Sequence, residues 1–326
     1  MTALRATLAG ILILALLAAP LGAEAQQGRL YRVGVVFQGG GYSAGVDGLR
    51  DGLRELGFEE GKQLVLHVRD AKGDLKSVEA AARGLEDEKV DLIYSLATSV
   101  TLAAKRVTRS VPIVFYAGTD PVTVGLVESF RKPGGRLTGI FGRFTDMTGK
   151  RLELLKEMVP RVRRPAVFYN PDNRAAQESL KLARDAARQL QLELVERPVA
   201  SVEELRVSLR TLKPGEADAI ITVSDAMVVS RQELLIEAAM AKRLPTMLTD
   251  PASATGGALA GYGENYYKAG RVSAKYVQRV LQGHNPGDLP IEQLDNLQFV
   301  INLKTAKALG LTIPRAVLVR ADEIIE

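Results

Sequence analysis

From Tyr31 onward the chain repeats one unit: a short apolar run rich in β-branched residues, a corner carrying glycine, serine or aspartate, and an amphipathic stretch of helical period. Strand-like runs at Tyr31 to Phe37, Leu64 to Val68, Asp91 to Ser95, Ile113 to Tyr116 and Leu137 to Phe141 alternate with helix-like stretches at Ala44 to Leu56, Leu75 to Glu88, Ser99 to Val107 and Val122 to Phe130. Runs this apolar need cover on both faces, and strand–helix–strand alternation supplies it by right-handed crossovers over a parallel sheet. The unit then restarts. Helices at Thr148 to Met158, Ala175 to Leu190, Val202 to Leu212 and Arg231 to Arg243 alternate with strands at Ala166 to Tyr169, Leu192 to Glu196, Ala219 to Val223 and Pro245 to Leu248. Two tandem series of similar length predict an α/β fold of two doubly wound parallel-sheet lobes.

The last third carries the architectural clue. A small-residue strand, Gly256 to Gly263, leads into an amphipathic helix from Tyr266 to Leu281, and a further strand follows at Leu297 to Ile301. One helix between two extended stretches predicts that the chain crosses back to the first lobe and returns, which makes a hinge of several crossovers. The expected division is 1–25 as a leader, 29–143 with 264–288 as one lobe, and 146–262 with 291–326 as the other.

Those first residues differ from the rest. Arg5 precedes an apolar run from Leu8 to Ala19, and Ala23-Glu24-Ala25 has the small-x-small form of a cleavage site, so a secretory signal peptide cut after Ala25 is expected. The apolar run is short for a membrane span, and without a cysteine no lipid anchor can form on one. The expected location is therefore the periplasm, and the expected mature chain a monomer. Removing Arg5 and Glu24 leaves the formal charge at +5, and that charge is spread rather than clustered, which argues against a nucleic-acid surface.

Several kinds of chemistry find little support. With no cysteine and only His67 and His284, neither a zinc site nor a thiol nucleophile is expected. Gly39-Gly40-Gly41 after the first strand matches a dinucleotide loop weakly, since Ala44 stands where the third glycine would be, so no cofactor is expected. What recurs instead is a polar device at strand ends. Ser95 with Thr98 and Ser99, Thr119 with Asp120, Asn170 with Asn173, Ser224 with Asp225, and Asp250 all follow apolar strands and approach helix starts. Any one of them reads as a helix cap. Repeated across both lobes, on the side where open α/β sheets bind ligands, they predict a polar cleft for a small molecule. Hydroxyls and amides at helix starts would hold a carboxylate and an aspartate would hold an ammonium group, so an amino-acid-like ligand is expected. Gln38, Tyr42 and Ser43 in the first loop and Tyr262 near the hinge complete the candidate set, with Tyr94 and Tyr116 read as core residues.

The segments Pro112-Ile-Val-Phe, Thr119-Asp-Pro-Val, Arg131-Lys-Pro-Gly-Gly-Arg-Leu-Thr-Gly139, Gly149-Lys-Arg-Leu-Glu-Leu-Leu-Lys156, Leu297 to Pro314 and Arg320 to Glu326 resemble the ABC-transporter substrate-binding protein family that includes tryptophan and tyrosine binders. The resemblance implies a type I periplasmic-binding-protein fold, an ABC permease and its ATPase as partners, and no catalysis. Two other classes fit the same cleft. One is a sensory module for a membrane kinase, and the other a hydrolase using Asp120, Asp225 and Asp250.

Overall fold

The computed structural model describes residues 29–326, so the expected leader lies outside the described residues. The first sheet contains β1 (Tyr31–Phe37), β2 (Leu64–Asp70), β3 (Leu92–Leu96), β4 (Ile113–Ala117) and β5 (Leu137–Phe141). The second contains β6 (Pro165–Tyr169), β7 (Val195–Pro198), β8 (Ala219–Thr222), β9 (Thr246–Leu248) and β10 (Ala260–Glu264). Their orders, β2-β1-β3-β4-β5 and β7-β6-β8-β9-β10, are the same pattern used twice. The strand order reverses beside β1 in one sheet and beside β6 in the other, which opens a crevice at the C-terminal ends of those strands. In β3, β4 and β5 every residue is buried, as strands covered on both faces require.

The crossover helices are α1 (Ser43–Glu55), α2 (Leu75–Asp87) and α3 (Thr98–Val107) in the first lobe. The second lobe has α4 (Thr148–Met158), α5 (Arg174–Gln189), α6 (Val202–Thr211), the single turn α7 (Ala226–Val229) and α8 (Gln232–Lys242). The helix expected at Val122 to Phe130 is absent. Asp120 caps only a run of turns, in which Gly125 takes a φ of 76° and Leu126 N–H bonds back to Pro121 O. Burial of Val124, Leu126 and Val127 satisfies the apolar pattern without helical geometry.

Three strands of chain join the lobes. After β5 the chain enters the second lobe, and after β10 it returns as α9 (Tyr266–Leu281), which packs on α1 in the core of the first lobe through Ala269, Ala274 and Val277. Tyr267 Oη donates to Asp51 at 2.7 Å and reinforces that contact. The short strand β11 (Glu292–Gln293) pairs with β5, so the first residues of the segment expected in the second lobe belong to the first sheet. The chain then crosses again to β12 (Leu297–Asn302), followed by α10 (Leu303–Ala308), α11 (Arg315–Leu318) and β13 (Glu323–Ile325). β12 runs antiparallel to β10, an exception to the otherwise parallel second sheet that follows from its arriving from the opposite side of the hinge. No described helix is long and apolar enough to cross a membrane.

Candidate functional site

The loops after β1, β3 and β4 face those after β6, β8 and β9 across a narrow gap. One wall is aromatic. Tyr42 packs on Tyr266 with ring centroids 4.7 Å apart and planes tilted by 37°, and Tyr116 and Phe144 continue the wall at 6.1 and 5.8 Å from the Tyr266 ring. Contacts at these distances fix ring orientation as well as burying area. The polar part of the lining is Thr98 and Ser99 at the start of α3 with Asn173, Ser224 and Thr249 from the second lobe, set among Ala97, Ala175, Ala226 and Val229.

α3 begins without a side-chain cap, and the residue before it, Ala97, holds φ 90° and ψ 147°, a region that L-residues seldom occupy. Tyr116 O accepts from Ala97 N–H at 2.8 Å, and Thr98 Oγ1 accepts from Gly118 N–H at 3.1 Å and pairs with Thr119 Oγ1 at 2.9 Å. The start of α3 is thereby clamped to β4, and Thr98 and Ser99 line the gap. A helix start left without a cap offers partial positive charge to a carboxylate.

The aspartates behave differently from the expectation. Asp225 is 1% exposed, and its carboxylate accepts from the amides of Asn170 (2.7 Å), Met227 (3.0 Å) and Val228 (3.2 Å). Asp250 caps Ala252 N–H and accepts from Gln232 Nε2 at 2.8 Å. Asp120, on the surface, caps Val122 and Thr123. Burial pushes the carboxyl groups of Asp225 and Asp250 up from the ordinary range against the pull of these hydrogen bonds. All three carboxylates act as caps that accept from main-chain N–H groups, and Asp225 also borders the outer mouth of the gap.

Of the other candidates, Tyr42, Thr98, Ser99, Asn173 and Ser224 line the gap. Gln38 accepts from Ser99 at 3.5 Å and, with Asn170, lies at the outer mouth. Thr119 faces an adjoining cleft together with Asp120. Three residues serve elsewhere. Ser95 is fully buried and bonds Thr101, Ser43 bonds Gly40 O at the surface, and Tyr262 packs edge-on to Phe299 with its hydroxyl toward Met147. Three rings of the wall were not anticipated. Tyr116 reads as core from its strand, Tyr266 hides in the first turn of a helix, and Phe144 lies in a crossover without periodicity. The Asn265-Tyr266-Tyr267 run directly after a hinge strand is the one sequence signal that could have found Tyr266.

The lobes are in contact across the outer mouth. Arg231 Nη2 donates to Lys72 O at 2.5 Å and Arg174 Nη2 to Thr123 O at 3.2 Å. Gly41 faces the Asp250 carboxylate so closely that a Cβ there would lie inside 3.0 Å of Oδ2, and Gly40 faces the Ser230 backbone in the same way. The glycine loop after β1 thus packs directly against the second lobe. Ala226 and Val229 from the second lobe join the apolar cluster of the first. Among the described residues no group of three or more His, Cys, Asp or Glu could hold a metal ion.

The ABC transporter substrate binding protein family matches residues 32–325. A tyrosine-binding protein of Clostridioides difficile is 30% identical over 259 residues, covering 79% of this chain and 74% of that protein. A crystal structure of a conserved domain protein from Vibrio cholerae superposes with a TM-score of 0.83 at 32% identity, covering 91% of this chain and 100% of that one. An ABC domain from Streptococcus pneumonia in complex with L-Trp gives 0.81 at 24% identity, covering 91% and 100%. A ligand-free, open structure of a substrate binding protein with adhesive properties from Clostridium difficile gives 0.61 at 25% identity, covering 91% and 99%.

Proposed function

The chain belongs to the ABC transporter substrate binding protein family, and from that premise we propose that it captures an aromatic amino-acid-like solute by closing its two lobes and presents the closed form to an ABC permease and its ATPase. The observation that carries this reading is the gap itself, with an aromatic wall on one side and the start of α3, Thr98, Ser99, Asn173 and Ser224 on the other. A planar side chain stacks on the Tyr42–Tyr266 pair while its carboxylate meets the first amides and hydroxyls of α3. The ammonium group is left to the Ser224 hydroxyl and to Asn173, whose oxygen also caps α5. Two further comparisons support the reading. One relative is a tyrosine-binding protein, and the structure superposes with a higher TM-score on the L-Trp complex than on the ligand-free, open structure.

In this reading residues 1–25 direct export and are removed after Ala25, and a monomer works in the periplasm. The testing experiment is thermal unfolding of the mature chain with L-tyrosine, L-tryptophan, L-phenylalanine and L-leucine. A solute in about hundredfold excess over its Kd adds about 2.7 kcal/mol and raises Tm. An increase with at least one aromatic amino acid and none with leucine is expected. No increase with any aromatic amino acid would remove the solute assignment, and N-terminal sequencing of exported material that returned Met1 would remove the leader.

A further inference from the structure

Phe144 is the ring of the wall with the least local support. It lies between β5 and α4 in a run of turns, yet it is 4% exposed and lines the gap. No helix or strand fixes the direction of its side chain, so its place is set by what surrounds it. A Cβ on Gly118 would lie 3.1 Å from its Cδ2 and one on Gly263 would lie 2.8 Å from its Cε1, so a glycine on each side leaves the ring its room. Tyr116 meets it edge-on at 6.4 Å and Tyr266 at 5.8 Å between ring centroids.

The remaining hold comes from α4. Arg151, near the start of that helix, is 0% exposed. Its Nη1 donates to Phe144 O at 3.0 Å and its Nε to Tyr262 O of β10 at 2.7 Å. Its Cζ stands 5.7 Å from the centre of the Phe144 ring, within the range of a cation–π contact. Nη2 has no acceptor, so among the described residues the guanidinium bonds no carboxylate. Burying a cation without an ionised partner is a costly way to hold a fold together. What the guanidinium supplies, and an apolar chain of its size would not, is a rigid fork between the first crossover and β10 and a flat face over one ring of the gap. One residue earlier, the Arg143 N–H is held at 2.9 Å by the buried Glu264 carboxyl group, which also accepts from Tyr116 Oη at 2.7 Å. That contact fixes the main chain, whereas Arg151 is the group that stands over the ring itself.

We propose that Arg151, which does not itself line the gap, is a positioning residue for the aromatic wall: by holding the carbonyl and the ring face of Phe144 it fixes the width of the gap at that ring and so selects the planar side chains admitted. The consequence for solute choice rests on the solute-capture reading; the hold on the ring does not.

Two variants separate the parts of this hold. Arg151→Met keeps an unbranched chain of similar size without donors or charge, and Arg151→Lys keeps the charge without the fork or the flat face. With 4-fluorophenylalanine placed at Phe144 alone, 19F relaxation of the solute-free protein reads the motion of that ring. Faster ring motion than in the parent is expected in both variants, and relaxation equal to the parent in both would overturn the proposal. Calorimetry with L-tyrosine and L-tryptophan reads the consequence. Arg151→Met should weaken at least one of them about tenfold, and should cost less than about twofold in a Phe144→Leu background, where there is no ring left to hold. Equal affinity in Arg151→Met and the parent, or a tenfold loss that persists without Phe144, would overturn it, since a residue serving only the fold would act in either background. Should neither amino acid bind the parent, the solute-capture reading falls while the fluorine relaxation still decides whether Arg151 holds the ring.

Discussion

Replacing Asp225 by alanine separates two roles that the same residue could play in a cleft. As a ligand for an ammonium group it would be dispensable to the fold. The structure instead places three backbone amides on one carboxylate that is 1% exposed, two of them opening α7 and the third, of Asn170, holding the loop after β6. A buried amide without a partner costs about 1–3 kcal/mol, and loss of a cap typically about 1 kcal/mol. Relief of the desolvation that raises the Asp225 carboxyl group offsets part of this. The net loss is about 3 kcal/mol, which lowers Tm by about 5 °C in a chain of this size. Asp225→Asn keeps one acceptor and presents N–H groups to amides that need an oxygen, so it falls between parent and alanine. Circular dichroism melts at neutral pH read the effect, with calorimetric titration of L-tyrosine in parallel. An Asp225→Ala protein that melts with the parent but has lost solute would refute the capping argument and return Asp225 to the ammonium group.

Gly41→Ala adds a Cβ against Asp250, which is buried and tethered at both oxygens, so the closed form is strained while each lobe folds normally; solute affinity should fall about tenfold or more with Tm unchanged, and equal affinity in calorimetry would show that closure needs no such clearance. Glu264→Gln should alter the pH profile of stability. A carboxyl group raised from 4.5 to about 7 contributes stability that is complete below about pH 4.5 and is lost as pH rises through about 7, a loss of about 3 kcal/mol, so urea melts of the parent should weaken across that window and those of the glutamine variant should not. Tyr266→Ala removes the middle of the aromatic wall and should weaken solute binding about tenfold to hundredfold, whereas Tyr266→Phe keeps the ring contacts and most of the affinity; equal losses in both would place the function of Tyr266 in its hydroxyl.

Local pattern carried the fold far. Continuous apolar runs such as Ile113 to Tyr116 specify doubly covered strands because no exposed face could accept them, and their alternation with helices leaves few topologies. The same logic failed from Val122 to Phe130, where buried Val124, Leu126 and Val127 satisfy a helical pattern while Gly125 breaks the backbone. Strand-end polar residues were visible as a class, and Tyr42, Thr98, Ser99, Asn173 and Ser224 do reach the gap.

Which of them faced the ligand was not visible, because capping and ligand binding demand the same side chains at the same positions. Asp225 and Asn173 both follow a strand and both cap a helix, yet only Asn173 also lines the gap. Sequence by itself determined two parallel-sheet lobes, a returning helix at the hinge and a polar end to each sheet, all of which depend on periodicity within a few turns of chain. Tertiary structure alone decided that Tyr116, Phe144 and Tyr266 form one wall and that Glu264 and Arg151 tie the first crossover to β10. Those contacts link residues more than a hundred positions apart, and no local pattern records a distance set by the packing of two lobes.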